Sequence, residues 1–320
     1  MSASLLGPLA PLLDDPSVTD IMVNAGRQVW VERAGALEPV AIVLAPGQIE
    51  HIVERILAPL GIRIDAVSPV ADARLPDGSR LHVMAPPVAP DGMAVSLRRF
   101  RSIPLGLDSF APPDVARYLT DAVARRANIL VSGATSAGKT TLLNALAGCC
   151  ERNERIVTIE DAAELRLPGA HVVRLEARSS SADGLGAITI RDLVRAALRM
   201  RPDRIVVGEV RGSEALDMLQ ALNTGHDGSL TTCHANSALD ALHRIDTMAL
   251  LAASGLPLTA VQQQVQRSID IVVHVARGRQ GHRVVHDVGE VTETAERIRS
   301  VATREGLRPG GSPTWQGRQP

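Results

Sequence analysis

The chain is poor in aromatic residues: two Trp, one Tyr and two Phe among 320 residues. That scarcity argues against single-strand nucleic-acid binding by base stacking. Charge imbalance is also missing. Thirty-four Lys plus Arg face 35 Asp plus Glu, for a formal net charge of -1, so global charge draws the chain neither to nucleic acid nor to an acidic membrane. The three cysteines, Cys149, Cys150 and Cys233, have no CxxC spacing and fit a reducing compartment, where they act as inert packing residues. No apolar run approaches the length of a membrane span; Met248 to Leu258 is far too short and holds Gly255 and Pro257. The first residues lack a basic segment and carry Pro8 and Pro11, unlike a secretory signal. The expectation is a soluble cytoplasmic chain that meets a membrane only through partners.

Lysine is the scarcest charged residue. Lys139 is the only one, against 33 arginines. It lies in Gly133-Ala134-Thr135-Ser136-Ala137-Gly138-Lys139-Thr140, which fits GxxxxGK[ST]. A compact ammonium suits a narrow loop that a planar guanidinium does not fit. An apolar strand, Ile129 to Val131, precedes the motif and a helix, Thr141 to Ala147, follows it. Residues Gly133 to Thr141 are the candidate phosphate binders. Loop N–H groups cradle phosphates, Lys139 reaches the β- and γ-phosphates, and the Thr140 hydroxyl is a candidate Mg²⁺ ligand. A nucleoside polyphosphate with Mg²⁺ is the expected ligand.

The rest of the chain has the pattern of two domains. Residues 1–100 read as a small α+β domain: short strands at Ile21–Val23 and Val29–Val31, a helical stripe from Ile49 to Leu57 ended by Pro59 and Gly61, and a turn at Pro76-Asp77-Gly78. Residues 101–113 read as a linker, with Pro104, Gly106, Pro112 and Pro113. From 114 to 292 strands and helices alternate, which implies a largely parallel sheet and a P-loop α/β domain. Expected strands are Ile129–Val131, Ile156–Ile159, Val172–Leu175, Ile205–Val207, Leu230–Cys233 and Ile271–Val275. A helix over Ala215 to Leu222 is opened by Ser213 and stopped by Gly225. Residues 293–320 read as a polar tail, partly disordered.

Several P-loop classes drop out. A GTPase reads guanine with NKxD, and no second Lys exists; no LSGGQ-like signature is present. His226, Cys233 and His234 are too loosely spaced for a metal box. Polar residues cluster at four expected strand ends: Glu160 with Asp161, Glu209, His226, and His234. In a parallel sheet such ends converge on the ligand crevice.

The segments Ile156–Asp161, Arg201–Gly212 and Thr224–Asn236 resemble the Asp box, Walker B and His box of the type II/type IV secretion ATPase superfamily. Together with Val18–Asn24 and Ala73–Arg80, they look most like its tight-adherence (Flp-type) pilus branch. The resemblance implies a RecA-like domain with a smaller α+β N-terminal domain, assembled as a homo-hexamer. It implies ATP hydrolysis that powers pilus assembly or secretion beside inner-membrane platform proteins; the near-neutral charge and few aromatics speak for no direct nucleic-acid contact. By motif position Glu160 would be the general base, Glu209 would hold Mg²⁺, and His226 and His234 would sense the γ-phosphate. Arg74, Arg80, Arg98 and Arg99 are the N-terminal arginines that would close over the nucleotide. The alternatives are a nucleotide-gated scaffold with negligible turnover, and a conjugation or DNA-transfer ATPase on the same fold.

Overall fold

The computed structural model describes residues 6–33, 35–75, 77–99, 105–169, 171–178, 186–252, 255–278, 282–308 and 317. The chain divides into two compact units, Met1–Ser102 and Ile103–Pro320.

The first unit is built on an antiparallel six-stranded sheet of order β3-β2-β1-β6-β5-β4. Its strands are β1 (Val18–Asn24), β2 (Gln28–Arg33), β3 (Ala36–Val40), β4 (Val70–Arg74), β5 (Arg80–Met84) and β6 (Ala94–Arg98). Buried and less buried side chains alternate along β5 and β6, so Leu81, Val83, Val95 and Leu97 enter the core and their neighbours face outward. Two helices, α1 (Ala10–Asp14) and α2 (Gln48–Leu57), belong to this core. The stripe Ile49, Ile52, Val53, Ile56 and Leu57 of α2 is fully buried. A 3-10 turn containing Pro59 follows α2, and Gly61 at φ +70° terminates it, where a left-handed conformation favours glycine. Of the expected Pro76-Asp77-Gly78 turn, Pro76 lies outside the described residues; Asp77 Oδ1 accepts from the N–H of Ser79 at 3.0 Å.

The second unit is α/β. Its helices are α3 (Pro113–Ala124), α4 (Lys139–Ala147), α5 (Ile190–Ala197), α6 (Glu214–Leu222), α7 (Ala238–Ala252) and α8 (Leu258–Ser268). Its strands are β7 (Ile129–Gly133), β8 (Ile156–Glu160), β9 (Val172–Glu176), β10 (Arg204–Val207), β11 (Leu230–His234), β12 (Ile271–Arg277), β13 (Arg283–Val291), β14 (Ile298–Thr303) and β15 (Gly306–Leu307). The sheet order is β15-β14-β13-β12-β7-β11-β10-β8-β9. Strands β12, β7, β11, β10, β8 and β9 run parallel; β13 to β15 add antiparallel strands. Each of the six expected strands forms.

Every residue of β7, β8 and β10 is buried, as expected of parallel strands covered on both faces. Ile129 and Val131 join a layer with α3 and α4, whereas Leu130 joins the opposite layer with α5 to α8. At the N-terminal edge of the sheet, Arg204 is 1% exposed. Its Nε donates to Glu154 Oε2 at 2.8 Å and its Nη1 to the Gly228 carbonyl at 3.1 Å. Arg126 Nη2 donates to the other Glu154 oxygen at 2.7 Å, so the buried carboxylate is fully paired.

Two expectations need correction. The stretch 105–113 is no bare linker: Leu107, Phe110 and Ala111 are buried in the core of the second unit, and Phe110 accepts a backbone bond from Val285 at 2.8 Å. The residues after 293 are no simple tail, because β14 and β15 extend the sheet and Val301 and Ala302 are fully buried. Residues 309–316 and 318–320 lie outside the described residues. Ser213 occupies the N-cap of α6, as expected, though without a side-chain bond; Glu214 Oε1 accepts from the N–H groups of Arg211 and Gly212 at 2.6 and 2.9 Å. Among the described residues no helix is long and apolar enough to cross a membrane.

Candidate functional site

The strand β7 ends at Gly133 in the middle of the parallel sheet, and the loop to α4 opens there. Two loop residues have left-handed backbones, Ser136 at φ +58° and Gly138 at φ +102°. For Ser136 that conformation costs about 1–3 kcal/mol and persists only where the surroundings impose it. Gly133 permits a close approach: a Cβ there would stand 2.4 Å from the Val275 carbonyl oxygen. A Cβ on Gly138 would stand 2.5 Å from Cδ of Arg283. Close packing calls for glycine at both positions, and at Gly138 the left-handed dihedral does so as well.

Lys139 opens α4 and is buried. Its Nζ donates to the carbonyls of Gly133 and Ala134 at 3.2 and 3.1 Å and lies 3.8 Å from Glu209 Oε1. Burial holds the ammonium pKa below its usual value, and the Glu209 charge pulls the other way. Glu209 follows β10 and comes from the neighbouring strand end. Its Oε1 is enclosed, takes no directed hydrogen bond, and contacts Nδ1 of His234. Its Oε2 accepts from Arg211 Nε at 2.7 Å and lies 2.5 Å from Arg211 Nη2. The same guanidinium reaches Asp161 Oδ2 at 3.1 Å.

His234 ends β11 and stands in register with Gly133 on β7. Its Nε2 is 3.0 Å from Thr135 Oγ1 in the loop. One imidazole thus joins the Glu209 carboxylate to the loop. Glu160 ends β8, is 3% exposed, and turns toward its own downstream segment. Its Oε1 accepts from the N–H groups of Glu164 and Leu165 at 2.9 and 3.0 Å. Burial raises its pKa to about 7, opposed by those two backbone bonds. A buried carboxyl poised near neutrality is suited to accept a proton.

His226 does not join this group. It precedes β11, so it sits at the opposite edge of the sheet from His234, roughly one five-residue strand or ~16 Å away. Its Nδ1 faces the Ala221 carbonyl at 3.2 Å. The expectation that it marks a C-terminal strand end is corrected: α6 carries the chain back to the starting edge before β11 begins.

The N-terminal arginines divide. Arg74, Arg80 and Arg98 are cross-strand neighbours on β4, β5 and β6, on the face opposite the core. Arg99 is committed inside its own unit, donating to the Asp15 and Val18 carbonyls, the latter at 3.2 Å. Sequence reading also left Arg211 without a role in the site, and gave no signal at all for Arg277 and Arg283. Arg277 Nε donates to the Ser136 carbonyl at 3.0 Å and Arg283 Nη1 to Thr141 Oγ1 at 3.2 Å.

Among the described residues no cluster of three or more His, Cys, Asp or Glu could hold a metal by itself. The site fits a Mg²⁺ that brings its own phosphate ligands, with Glu209 Oε1 enclosed and undirected. The cysteines fit a packing role: burial pushes Cys150 up to about 11 and Cys233 up to about 12, far from a reactive thiolate.

The family model for the type II/IV secretion system protein matches residues 3–307. A putative conjugal transfer protein of Mycobacterium tuberculosis (strain ATCC 25618 / H37Rv) is 40% identical over 307 residues, covering 92% of this chain and 87% of that protein. The conjugal transfer protein TrbB of Rhizobium radiobacter is 33% identical over 290 residues, covering 88% and 86%. Among solved structures, the VirB11 ATPase of the Brucella suis type IV secretion system, in complex with sulphate, is 30% identical with a TM-score of 0.51, covering 91% of this chain and 98% of that one. The pilus retraction motor PilT with bound ADP has a TM-score of 0.66 at 22% identity, covering 91% and 84%, a likeness of fold. The family model and these relatives show that the chain belongs to the type II/IV secretion system protein family.

Proposed function

We propose that the chain binds Mg-ATP at the Gly133–Thr141 loop and hydrolyses it, within a homo-hexameric ring, to drive assembly of a pilus of the tight-adherence type at the cytoplasmic face of the inner membrane. The observation that carries the reading is the meeting of Lys139, Glu209, His234 and Thr135 at one strand edge. A buried ammonium in a glycine-containing loop suits a polyphosphate, and a carboxylate 3.8 Å from it suits the accompanying metal. Thr140 and Glu209 would hold Mg²⁺, which neutralises charge on the phosphates. Lys139 would bind the β- and γ-phosphates. His234, touching both Glu209 and Thr135, is placed to couple metal-side and loop-side movements. Glu160 would take the proton of the attacking water once its carboxyl ionises.

Arg74, Arg80 and Arg98 form a row of outward cations on the first unit and remain the candidates to close over the nucleotide; Arg99 is less suited because it holds backbone carbonyls. Work would pass to inner-membrane platform proteins through domain motion.

Steady-state phosphate release from the purified protein tests the reading. Lys139→Ala should abolish it, and unchanged turnover in that variant would sink the motor. A second reading, a conjugation or DNA-transfer ATPase, is favoured by relatives that bear conjugal transfer names. Turnover stimulated by DNA, with a steep salt dependence, would select it. The near-neutral charge and few aromatics support the first reading.

A further inference from the structure

The loop has two ends, and the Glu209 cluster accounts for only one. Thr140 is placed at the Lys139 end. Thr141 is the next residue in the first turn of α4, rotated by ~100° about the helix axis, and its hydroxyl is engaged from a different direction. Arg283 Nη1 donates to Thr141 Oγ1 at 3.2 Å, while the Arg283 methylenes lie against Gly138, where a Cβ would stand 2.5 Å from Cδ. Arg277, the cross-strand partner of Arg283, donates from Nε to the Ser136 carbonyl at 3.0 Å. Two arginines of the β12–β13 pair therefore flank the loop on the side away from Glu209.

We propose that Arg283, acting with Thr141, binds the α-phosphate of the nucleotide. This rests on the reading of the loop as an ATP site. A hydroxyl that accepts from a guanidinium keeps its own proton to donate. Thr141 Oγ1 can thus give a hydrogen bond to a phosphate oxygen while Arg283 supplies the charge beside it, and guanidinium matches phosphate geometry. The β/γ end is served by Lys139 and the metal. The α-phosphate is left to the first turn of α4, the segment that Arg283 touches. Arg277 is a positioning residue: by binding the Ser136 carbonyl it holds the left-handed turn of the loop.

The test is equilibrium ADP binding to the full-length protein, with the two α-thio diastereomers of ADP as further probes. Wild type must bind ADP; if it does not, the ATP-site reading itself fails. Given binding, Arg283→Gln should weaken ADP and ATP alike, by roughly tenfold or more. Arg283→Lys, which restores a charge, should recover much of the loss. Gln and Lys both keep methylenes to pack on Gly138, so a merely structural role predicts that the two variants behave alike. Wild type should distinguish the two diastereomers, and Arg283→Gln should erase most of that preference. Wild-type ADP affinity in Arg283→Gln, identical losses in the Gln and Lys variants, or an unchanged diastereomer ratio overturns the proposal. Ligand-free melting temperatures, expected to agree among the three proteins, control for folding.

Discussion

Gly208 lies directly against Glu160: a Cβ built on the glycine would stand 2.9 Å from Glu160 Cγ and 3.5 Å from its Oε1. The glycine that precedes Glu209 thus leaves room for the carboxylate at the end of the adjacent strand. Gly208→Ala should displace Glu160 by a few tenths of an ångström and cut turnover by roughly tenfold, since small misplacements of a reacting group are costly. Nucleotide affinity should hold, because the loop itself is untouched. Undiminished kcat in this variant would show that Glu160 tolerates movement and is not the base.

Glu160 should also set the pH dependence. Its folded pKa, about 7, is raised above the unfolded value, so the ionised form that accepts a proton grows as pH rises through 7. Turnover should rise over the same range. Glu160→Gln should lose that limb and fall by roughly 10²- to 10⁴-fold. The stability consequence has the opposite sign. The folded state binds the extra proton, so this group's contribution is present in full below about pH 4.5 and is lost as pH rises through 7. Urea melts of wild type and Glu160→Gln at pH 5 and pH 8 measure it; the gap between the two proteins should change with pH.

Arg211 holds both Glu209 and Asp161. As a cation bound to the carboxylate expected to receive Mg²⁺, it competes with the metal for negative charge. Arg211→Gln should lower the Mg²⁺ concentration that half-saturates ADP binding. A higher Mg²⁺ requirement would mean that Arg211 orients Glu209 for the metal instead of competing with it.

The buried Arg204–Glu154 pair should behave as a structural element. Arg204→Met leaves Glu154 with Arg126 alone in a buried setting, and breaking such a pair costs about 3–5 kcal/mol. Chemical denaturation should show a stability loss of that order. The effect on ADP affinity should be small, because this pair sits at the sheet edge away from the loop.

Much of the site was legible because its signals are local. Lys139 opens α4 directly after left-handed Gly138, an arrangement dictated within one eight-residue motif. The strands at Ile129–Val131 and Ile156–Ile159 are predominantly apolar and lack strict alternation, the signature of burial on two faces. Arg283 and Thr141, in contrast, are separated by 142 residues and meet only because β13 turns back antiparallel beside β12. No spacing in the chain announces that return. His226 was misplaced for the same reason. Its distance along the chain from Leu230 shows that it precedes a strand, but only the direction of that strand reveals which edge it occupies.

The amino-acid order by itself determined the glycine-containing loop between β7 and α4, the lone lysine after it, the strand and helix alternation, and the two acidic strand ends, because each depends on neighbours within a turn or a strand. Tertiary structure decided what those groups face: that His234 joins Glu209 to Thr135, that Glu160 spends its bonds on its own downstream backbone, and that two distant arginines flank the loop. The physical reason is that a hydrogen bond is a matter of a few ångströms in space. Strand order in the sheet, which local propensity does not encode, sets those distances.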